Sequence, residues 1–266
     1  MWCSYFITRL TSKVIRGICT CPVPRVFRQS LWTRAAGIFG MNLAEAQHEL
    51  PHYPTFDAFF TRELKHGSRP IDSTVSLVSP ADGQLTSFGS FTDGKLIQAK
   101  GVFYPVGLFL GAESVDFTSG SVATIYLSPK DCHRVFSPAD GEVESITIIP
   151  GALVPVREPY VSTVPELFGR NERMVIMMKT SQGRLAVVMV GALNVGTMTT
   201  PLSSKMVTHQ WGQKTRTVSF ESPKKVSKGD LLGIFHMGST VVLVSDYELK
   251  FLAKSGPIMM GTSLAE

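Results

Sequence analysis

The sequence has few cysteines, a modest share of charged residues and no long hydrophobic run. Its 266 residues include four cysteines, Cys3, Cys19, Cys21 and Cys132, too few to predict a disulfide framework in a chain of this length. Cys19 and Cys21 form a Cys-x-Cys pair, but no second Cys/His pair stands at zinc-binding spacing, so no metal site is predicted. The longest apolar stretch, residues 185–193, is much shorter than the ~20 residues of a transmembrane helix. It predicts a buried strand instead.

Acidic residues are absent from the first 44 positions, which contain six Lys and Arg residues; the first acid is Glu45. The whole chain has 26 basic and 21 acidic residues, a net charge of +5. Residues 45–266 therefore hold 20 basic and 21 acidic residues, a net charge of −1. Surfaces that bind nucleic acid usually extend through the folded domain, so this distribution argues against a nucleic-acid partner. The 44% of apolar residues excludes a disordered chain.

The acid-free segment also carries apolar and aromatic residues between its basic ones. This pattern suits a helix that lies in the headgroup layer of a membrane. It also fits a mitochondrial transit peptide, and an ordinary basic helix packed on the protein is a third interpretation. We predict that residues 1–44 form a basic amphipathic, membrane-associating arm and that residues 45–266 form the main domain.

Helices are predicted just after this segment. Asn42 and Thr55 are good N-cap residues, and Pro51 ends the first of the two helices. Apolar residues then recur at helical spacing and predict one buried stripe. The stripe consists of Phe56, Phe59, Phe60 and Leu64.

After Pro70, short β-branched runs alternate with turn residues about every ten positions, which is typical of an antiparallel β structure. The predicted strands are residues 95–99, 122–127, 143–149, 174–179, 185–190, 215–220 and 241–244. The sequence SPADG occurs twice, at 79–83 and 137–141, and predicts either a duplicated β unit or one turn used twice. We expect an α+β fold, with N-terminal helices followed by a mainly antiparallel β domain. Whether this domain contains an internal duplication is left open.

Two segments contain residues suited to catalysis. His133 follows a predicted strand and stands near Asp131, on a loop of the kind that often carries catalytic groups. The sequence Gly238-Ser239-Thr240 lies between a strand-like segment and an apolar run. At a tight Gly-Ser turn the serine hydroxyl can approach the preceding carbonyl, although taken alone this motif is typical of an ordinary β-turn.

An ordered set of motifs resembles the phosphatidylserine decarboxylase family, whose members are self-cleaving and pyruvoyl-dependent. The motifs stand in family order over roughly residues 45–245. They include TFDAFFTREL (55–64), SPADG (79–83), YLSPKDCHRV (126–135), LFGRNERMV (167–175) and KGDLLGIFHMGST (228–240).

The resemblance implies cleavage between Gly238 and Ser239, giving a large chain 1–238 and a small chain 239–266. The small chain would begin with a covalent pyruvoyl group made from Ser239, the cofactor for decarboxylating phosphatidylserine to phosphatidylethanolamine. The implied partners are phosphatidylserine, an anionic membrane surface and the protein's own small chain, and a homodimer is left open. No metal is implied.

The resemblance also assigns roles to side chains. Asp82 corresponds to the acid that orients the base, and His133 to the histidine linked to decarboxylation. The family's usual base for cleavage corresponds to Phe136, which cannot carry a proton. Three interpretations remain: His133 acts as the base with Asp82, His236 substitutes, or cleavage fails and the protein is a non-catalytic lipid-binding relative. A further alternative is that the protein is a β-rich binding module, in which Ser239 would have no function.

The motif match begins close to the N-terminus and leaves little room for a long presequence. We therefore expect a peripheral protein of the bacterial cytoplasmic membrane, with the mitochondrial inner membrane as the alternative.

Overall fold

Helices come first in the chain and strands form most of the rest. The computed structural model describes residues 2–99, 102–111, 117–156, 159–193, 197–210, 212–238 and 240–266. Its α-helices are α1 Trp2–Cys19, α2 Arg25–Phe39, α3 Phe56–Phe60, α4 Val106–Leu110, α5 Tyr160–Thr163 and α6 Leu167–Arg170. Short 3₁₀ helices span Leu43–Glu45 and Leu50–His52.

The strands pair into one large sheet and several small ones. They are β1 Leu77–Val78, β2 Gly83–Phe91, β3 Lys95–Ala99, β4 Val102–Pro105, β5 Gly120–Tyr126, β6 Arg134–Phe136, β7 Gly141–Ile149, β8 Arg173–Lys179, β9 Arg184–Val190, β10 Thr197–Thr199, β11 Arg216–Val226, β12 Leu231–His236, β13 Thr240–Ser245, β14 Gly256–Ile258 and β15 Ser263–Ala265. The large sheet has the order β11-β7-β8-β9-β13-β5-β2-β14. A second sheet has the order β10-β12-β6, while β1 pairs with β15 and β3 with β4. All these pairings are antiparallel, which confirms the predicted α+β class.

The predicted helical stripe is wrong at its last residue, Leu64. Thr55 caps α3 as expected, since its hydroxyl accepts a hydrogen bond from the Ala58 amide at 3.0 Å. The helix ends at Phe60, and Leu64 instead forms an isolated antiparallel bridge with Ala46. The hydroxyl of Thr61 donates to the Asp57 carbonyl at 2.8 Å and closes the last turn. Leu64 thus keeps the helical spacing of the stripe in the sequence, although it lies in an extended segment beyond the end of the helix.

The two SPADG copies adopt equivalent structures. Each leads into a long strand, β2 or β7, and in each the serine hydroxyl donates to the alanine carbonyl two residues later, at 2.8 and 2.7 Å. The copies also exchange backbone bonds, because the Val78 amide donates to Pro138 and the Phe136 amide donates to Pro80. This symmetric exchange supports a duplicated β unit.

Strand β13 lies at the centre of the large sheet. All six of its residues are buried, and it pairs with β9 on one side and with β5 on the other. Because the Gly-Ser-Thr motif leads directly into this strand, the six residues Thr240–Ser245 are held by a ladder on each side. The motif therefore joins a rigid part of the core.

Helices α1 and α2 each pack against the rest of the protein along one face. In α1, the guanidinium of Arg9 is buried and contacts Glu172 at 3.3 Å and the Gly151 carbonyl at 3.0 Å. In α2, Trp32 is buried; it stacks on Phe59 and donates its indole N–H to a backbone carbonyl. This packing agrees with the interpretation of the segment as an ordinary basic helix packed on the protein.

The opposite face of this segment is exposed and apolar. In α1 the exposed apolar residues recur every three or four positions, and α2 carries a similar set. They are Ile7, Leu10, Val14 and Ile18 in α1, and Val26, Phe27, Leu31, Ile38 and Phe39 in α2. Among the described residues, no helix is both long and apolar enough to cross a membrane.

Candidate active site

Strand pairing brings His133 next to the Gly-Ser-Thr motif. His133 immediately precedes β6, which pairs with β12, and its carbonyl accepts a hydrogen bond from the Phe235 amide at 2.9 Å. Strand β12 ends at His236, two residues before Gly238. The two candidate segments of the sequence therefore meet in space, although about a hundred residues separate them in the chain.

The His133 imidazole is fully buried and faces Gly238. Its Nδ1 lies 2.9 Å from the Asp131 carbonyl oxygen, which can only accept, so Nδ1 carries the proton. Its Nε2 has no hydrogen-bond partner among the described residues. A β-carbon at position 238 would lie 3.0 Å from this Nε2, so only glycine fits without displacing the ring. His133 thus presents a free lone pair to the residue whose carbonyl would be attacked.

The surroundings of His133 keep it neutral. Burial lowers the pKa of His133 to about 3, and the positive charge of Arg62 acts in the same direction, while the Nδ1 bond to Asp131 opposes them. The ring also packs against Phe60, with 4.0 Å between ring centroids. At neutral pH the group is therefore an uncharged imidazole whose Nε2 lone pair is unpartnered.

This pKa predicts a loss of stability in acid. Below about pH 6.5 an unfolded His133 takes up a proton that the folded protein binds only near pH 3. The free energy of unfolding should therefore fall as the pH drops through this window, by up to about 1.4 kcal/mol per unit. Urea unfolding of His133→Gln should show a shallower pH dependence than the parent. The exposed His66→Gln variant is the control, and equal slopes for parent and His133→Gln would contradict this account.

Asp82 is buried, but the structure does not join it to His133. Its carboxylate accepts two hydrogen bonds from Arg69, at 2.8 and 2.7 Å, and a third from the Met260 amide at 2.9 Å. Arg69 also contacts Glu45 at 2.9 Å. The first interpretation expected Asp82 to orient His133 as the base, but in the structure each of these groups has a different partner. The carboxylate is engaged by a guanidinium fork, and the imidazole proton is engaged by a carbonyl.

Phe136 and His236 have different environments. Phe136 pairs with Leu231 between β6 and β12 and brings no titratable group to the site. His236 is partly exposed, and its Nδ1 lies 3.0 and 2.9 Å from the two carboxylate oxygens of Asp57. Its Nε2 lies 3.1 Å from the Thr199 hydroxyl. His236 therefore has a carboxylate partner, which His133 lacks.

Ser239 lies outside the described residues, but its neighbours border a cavity. The cavity has a volume of about 450 Å³ and is mainly apolar. Its walls are formed by Phe39, Phe60, Tyr126, Leu127, Pro129, Pro155, Val156, Ala192, Leu193, Met237 and Gly238. The predicted cleavage bond therefore adjoins a space large enough for part of a lipid. Among the described residues, no cluster of His, Cys, Asp and Glu is suited to a metal ion.

Sequence reasoning missed two features of this site. Asp57 stands 179 positions from His236, and neither its helix nor its spacing indicates that the two meet. Met237 has a backbone φ of +88°, an unusual value for a residue other than glycine. Only the proximity of His236 to the Gly-Ser bond was visible in the sequence.

Comparisons with known proteins identify the family of this chain. A family model described as phosphatidylserine decarboxylase matches residues 56–266. Three similar proteins, each named phosphatidylserine decarboxylase proenzyme, come from Nitrosococcus oceani, Pseudomonas fluorescens and Myxococcus xanthus. Their identities to this chain are 43%, 36% and 39%; the alignments cover 79%, 97% and 88% of this chain and 70%, 93% and 84% of the relatives. With its motifs in order and its histidine at the Gly-Ser bond, this chain belongs to the phosphatidylserine decarboxylase family.

Proposed function

We propose that this protein decarboxylates phosphatidylserine to phosphatidylethanolamine, using a pyruvoyl group made from Ser239 by self-cleavage. The observation that carries the proposal is the buried His133 imidazole, whose unpartnered Nε2 faces Gly238. The relatives' names support both parts, since they describe a decarboxylase and a proenzyme.

Self-cleavage proceeds through an ester. The Ser239 Oγ attacks the Gly238 carbonyl carbon, the C–N bond breaks, and the hydroxyl proton passes to the freed amine. Loss of the Ser239 Hα then breaks the Cβ–O bond and leaves a carboxylate on Gly238. Water hydrolyses the resulting dehydroalanine, so ammonia departs and an α-keto group remains at residue 239.

His133 is the group best placed to help this reaction. Its Nε2 can accept the Ser239 hydroxyl proton as the C–O bond forms, which is the role of a general base. The surroundings of Gly238 also fit a pyruvoyl group at the next residue, because the unpartnered Nε2 of His133 and the cavity both adjoin Gly238. When formed, the pyruvoyl group supplies an electron sink for the carbon dioxide that leaves the substrate.

The small chain would stay bound after cleavage. Residues 239–266 contain β13, β14 and β15, which pair with strands of the large chain. Since β13 is the buried centre of the large sheet, separating the chains would require unfolding. The two products therefore act as one protein.

We also propose that the exposed apolar faces of α1 and α2 rest on an anionic membrane, making this a peripheral membrane protein of a bacterial cytoplasmic membrane. Residues 1–44 have no acid and six basic residues, which suits anionic headgroups. Phe39 at the end of α2 also lines the cavity beside Gly238. A lipid held at this surface would lie close to the site.

Vesicle binding tests the membrane proposal. Changing Val14 and Ile18 to serine removes exposed apolar area from α1 without touching its buried face, so binding to phosphatidylserine-containing vesicles should weaken several-fold. Leu252 and Met259, exposed elsewhere, are changed to serine as the matched control. Unchanged sedimentation of the α1 variant with vesicles would contradict the proposal. Deleting the helices is less informative, because Trp32 belongs to a buried cluster.

Intact-mass analysis tests the proposed function. The protein should contain two chains rather than one of 29.1 kDa, and a carbonyl-reactive amine should add mass to the small chain alone. A single uncleaved chain would overturn the proposal and favour a non-catalytic lipid-binding relative.

A further inference from the structure

The Asp57–His236 pair lies beside the predicted cleavage bond and has no role in the chemistry above. Asp57 belongs to the first turn of α3, and His236 is the last residue of β12. The imidazole bonds the carboxylate through Nδ1 and the Thr199 hydroxyl through Nε2, so both ring nitrogens are engaged. Because both side chains are mostly shielded from solvent, at 18% exposure each, the pair is a fixed connection between the helices and β12.

The chain changes sheets immediately after this pair. Strand β12 lies in the three-stranded sheet, whereas β13, which begins at Thr240, lies in the middle of the large sheet. Met237 and Gly238 are the described residues of the connection. Its two ends are held independently, by the His236 bonds on one side and by the pairing of Thr240 with Tyr126 and Val190 on the other.

Met237 adopts a strained backbone conformation where the chain crosses between the two sheets. Its φ of +88° lies in the left-handed region, where a β-carbon clashes with the following peptide group. Such a conformation persists only where the surrounding structure enforces it. Here the enforcing contacts are the His236 bonds before it and the packing of the Met237 side chain against the aromatic cluster of α2 and α3.

We propose that Asp57 and His236 are positioning residues for self-cleavage, which hold Met237 in its left-handed conformation and so promote the acyl shift at Gly238–Ser239. The inference rests on the proposed self-cleavage. In that step the Gly238 C–N bond breaks, a bond to the Ser239 Oγ forms, and the hydroxyl proton moves to the amine. The shift replaces the planar 238–239 amide with an ester that rotates more easily, so the chain between Gly238 and Thr240 is no longer rigid and Met237 can relax toward an unstrained conformation.

The pair is tested by measuring how fast newly synthesised chains are cleaved. Asp57→Ala and His236→Ala should each slow cleavage by about 10- to 100-fold, the usual cost of a small misplacement of reacting groups. The double variant should be no slower than either single variant, because each removes the same connection. His236→Gln, whose amide can still donate to Asp57, should restore most of the rate. His66→Ala, at an exposed site, is the control.

Hydroxylamine locates the defect within the reaction, because it cleaves esters and leaves peptides intact. If the pair promotes the acyl shift, uncleaved Asp57→Ala and His236→Ala chains will contain little ester and hydroxylamine will not cut them. Accumulated ester in these variants would overturn the proposal, since the pair would then act on the later elimination. A His236→Gln variant as slow as His236→Ala would also overturn it.

A matched pair of variants at Met237 isolates the backbone strain. Met237→Gly relieves the strain and Met237→Ala retains it, while both remove the packed side chain. Cleavage of the glycine variant should be about tenfold slower than that of the alanine variant. Equal rates, or a faster glycine variant, would overturn the role of strain.

The wild-type chain separates this proposal from the proposed function. Wild-type chains that stay uncleaved would overturn both. Wild-type chains that cleave, together with Asp57→Ala and His236→Ala chains that cleave at the same rate, would overturn the positioning role alone.

Discussion

Replacing Ser239 with alanine should leave one chain of 29.1 kDa and abolish decarboxylase activity. Alanine has no hydroxyl to attack the Gly238 carbonyl, so neither the ester nor the α-keto group can form. Intact-mass analysis of Ser239→Ala beside the wild type measures the effect directly. Binding to phosphatidylserine vesicles should persist, because the exposed faces of α1 and α2 are unchanged.

Two further variants define what Ser239 contributes. Ser239→Cys keeps a nucleophile and should still be cleaved, more slowly than the wild type. Ser204→Ala, at an exposed position, should be cleaved like the wild type. Full activity in Ser239→Ala would contradict the proposed function, because a binding or catalytic role independent of residue 239 would then be needed.

Replacing His133 with glutamine should slow self-cleavage by roughly 10²- to 10⁴-fold, the usual contribution of a general base. Glutamine can retain a hydrogen bond to the Asp131 carbonyl but has no basic nitrogen to face Gly238. The first-order rate at which the two chains appear is the measurement. The loss of cleavage rate should be much larger than the change in the thermal midpoint of unfolding can account for.

The result also distinguishes His133 from His236. Loss of His133 removes a base, so glutamine should not rescue the rate. Loss of His236 removes a connection, so glutamine should rescue it. If His133→Gln were cleaved at the wild-type rate while His236→Gln stayed uncleaved, the base would be His236 and not His133.

Much of the fold could be predicted because its signals are local. Alternating β-branched residues predicted strands such as residues 143–149 and 185–190, which the structure contains as parts of β7 and β9. Thr55 predicted a helix start through a bond made within one turn. The end of α3 could not be predicted, because Leu64 keeps the helical spacing while it packs from an extended segment beside Ala46.

The site divides in the same way. His133, Gly238 and Ser239 could be chosen from the sequence because each stands in a recognisable motif. The partners of Asp82 could not, since the carboxylate bonds Arg69 rather than a histidine. That choice depends on which side chains the fold brings within hydrogen-bond distance, and spacing along the chain does not record it.

The sequence by itself determined the chemical groups available to this protein: a Gly-Ser bond, the histidines His133 and His236, and an acid-free basic segment. Only the tertiary structure decided how these groups are used. It buried His133 so that its Nε2 is free and neutral, joined Asp57 to His236, and strained Met237 between two sheets. The physical reason is that pKa values, hydrogen-bond partners and backbone strain depend on three-dimensional surroundings, which distant segments supply together.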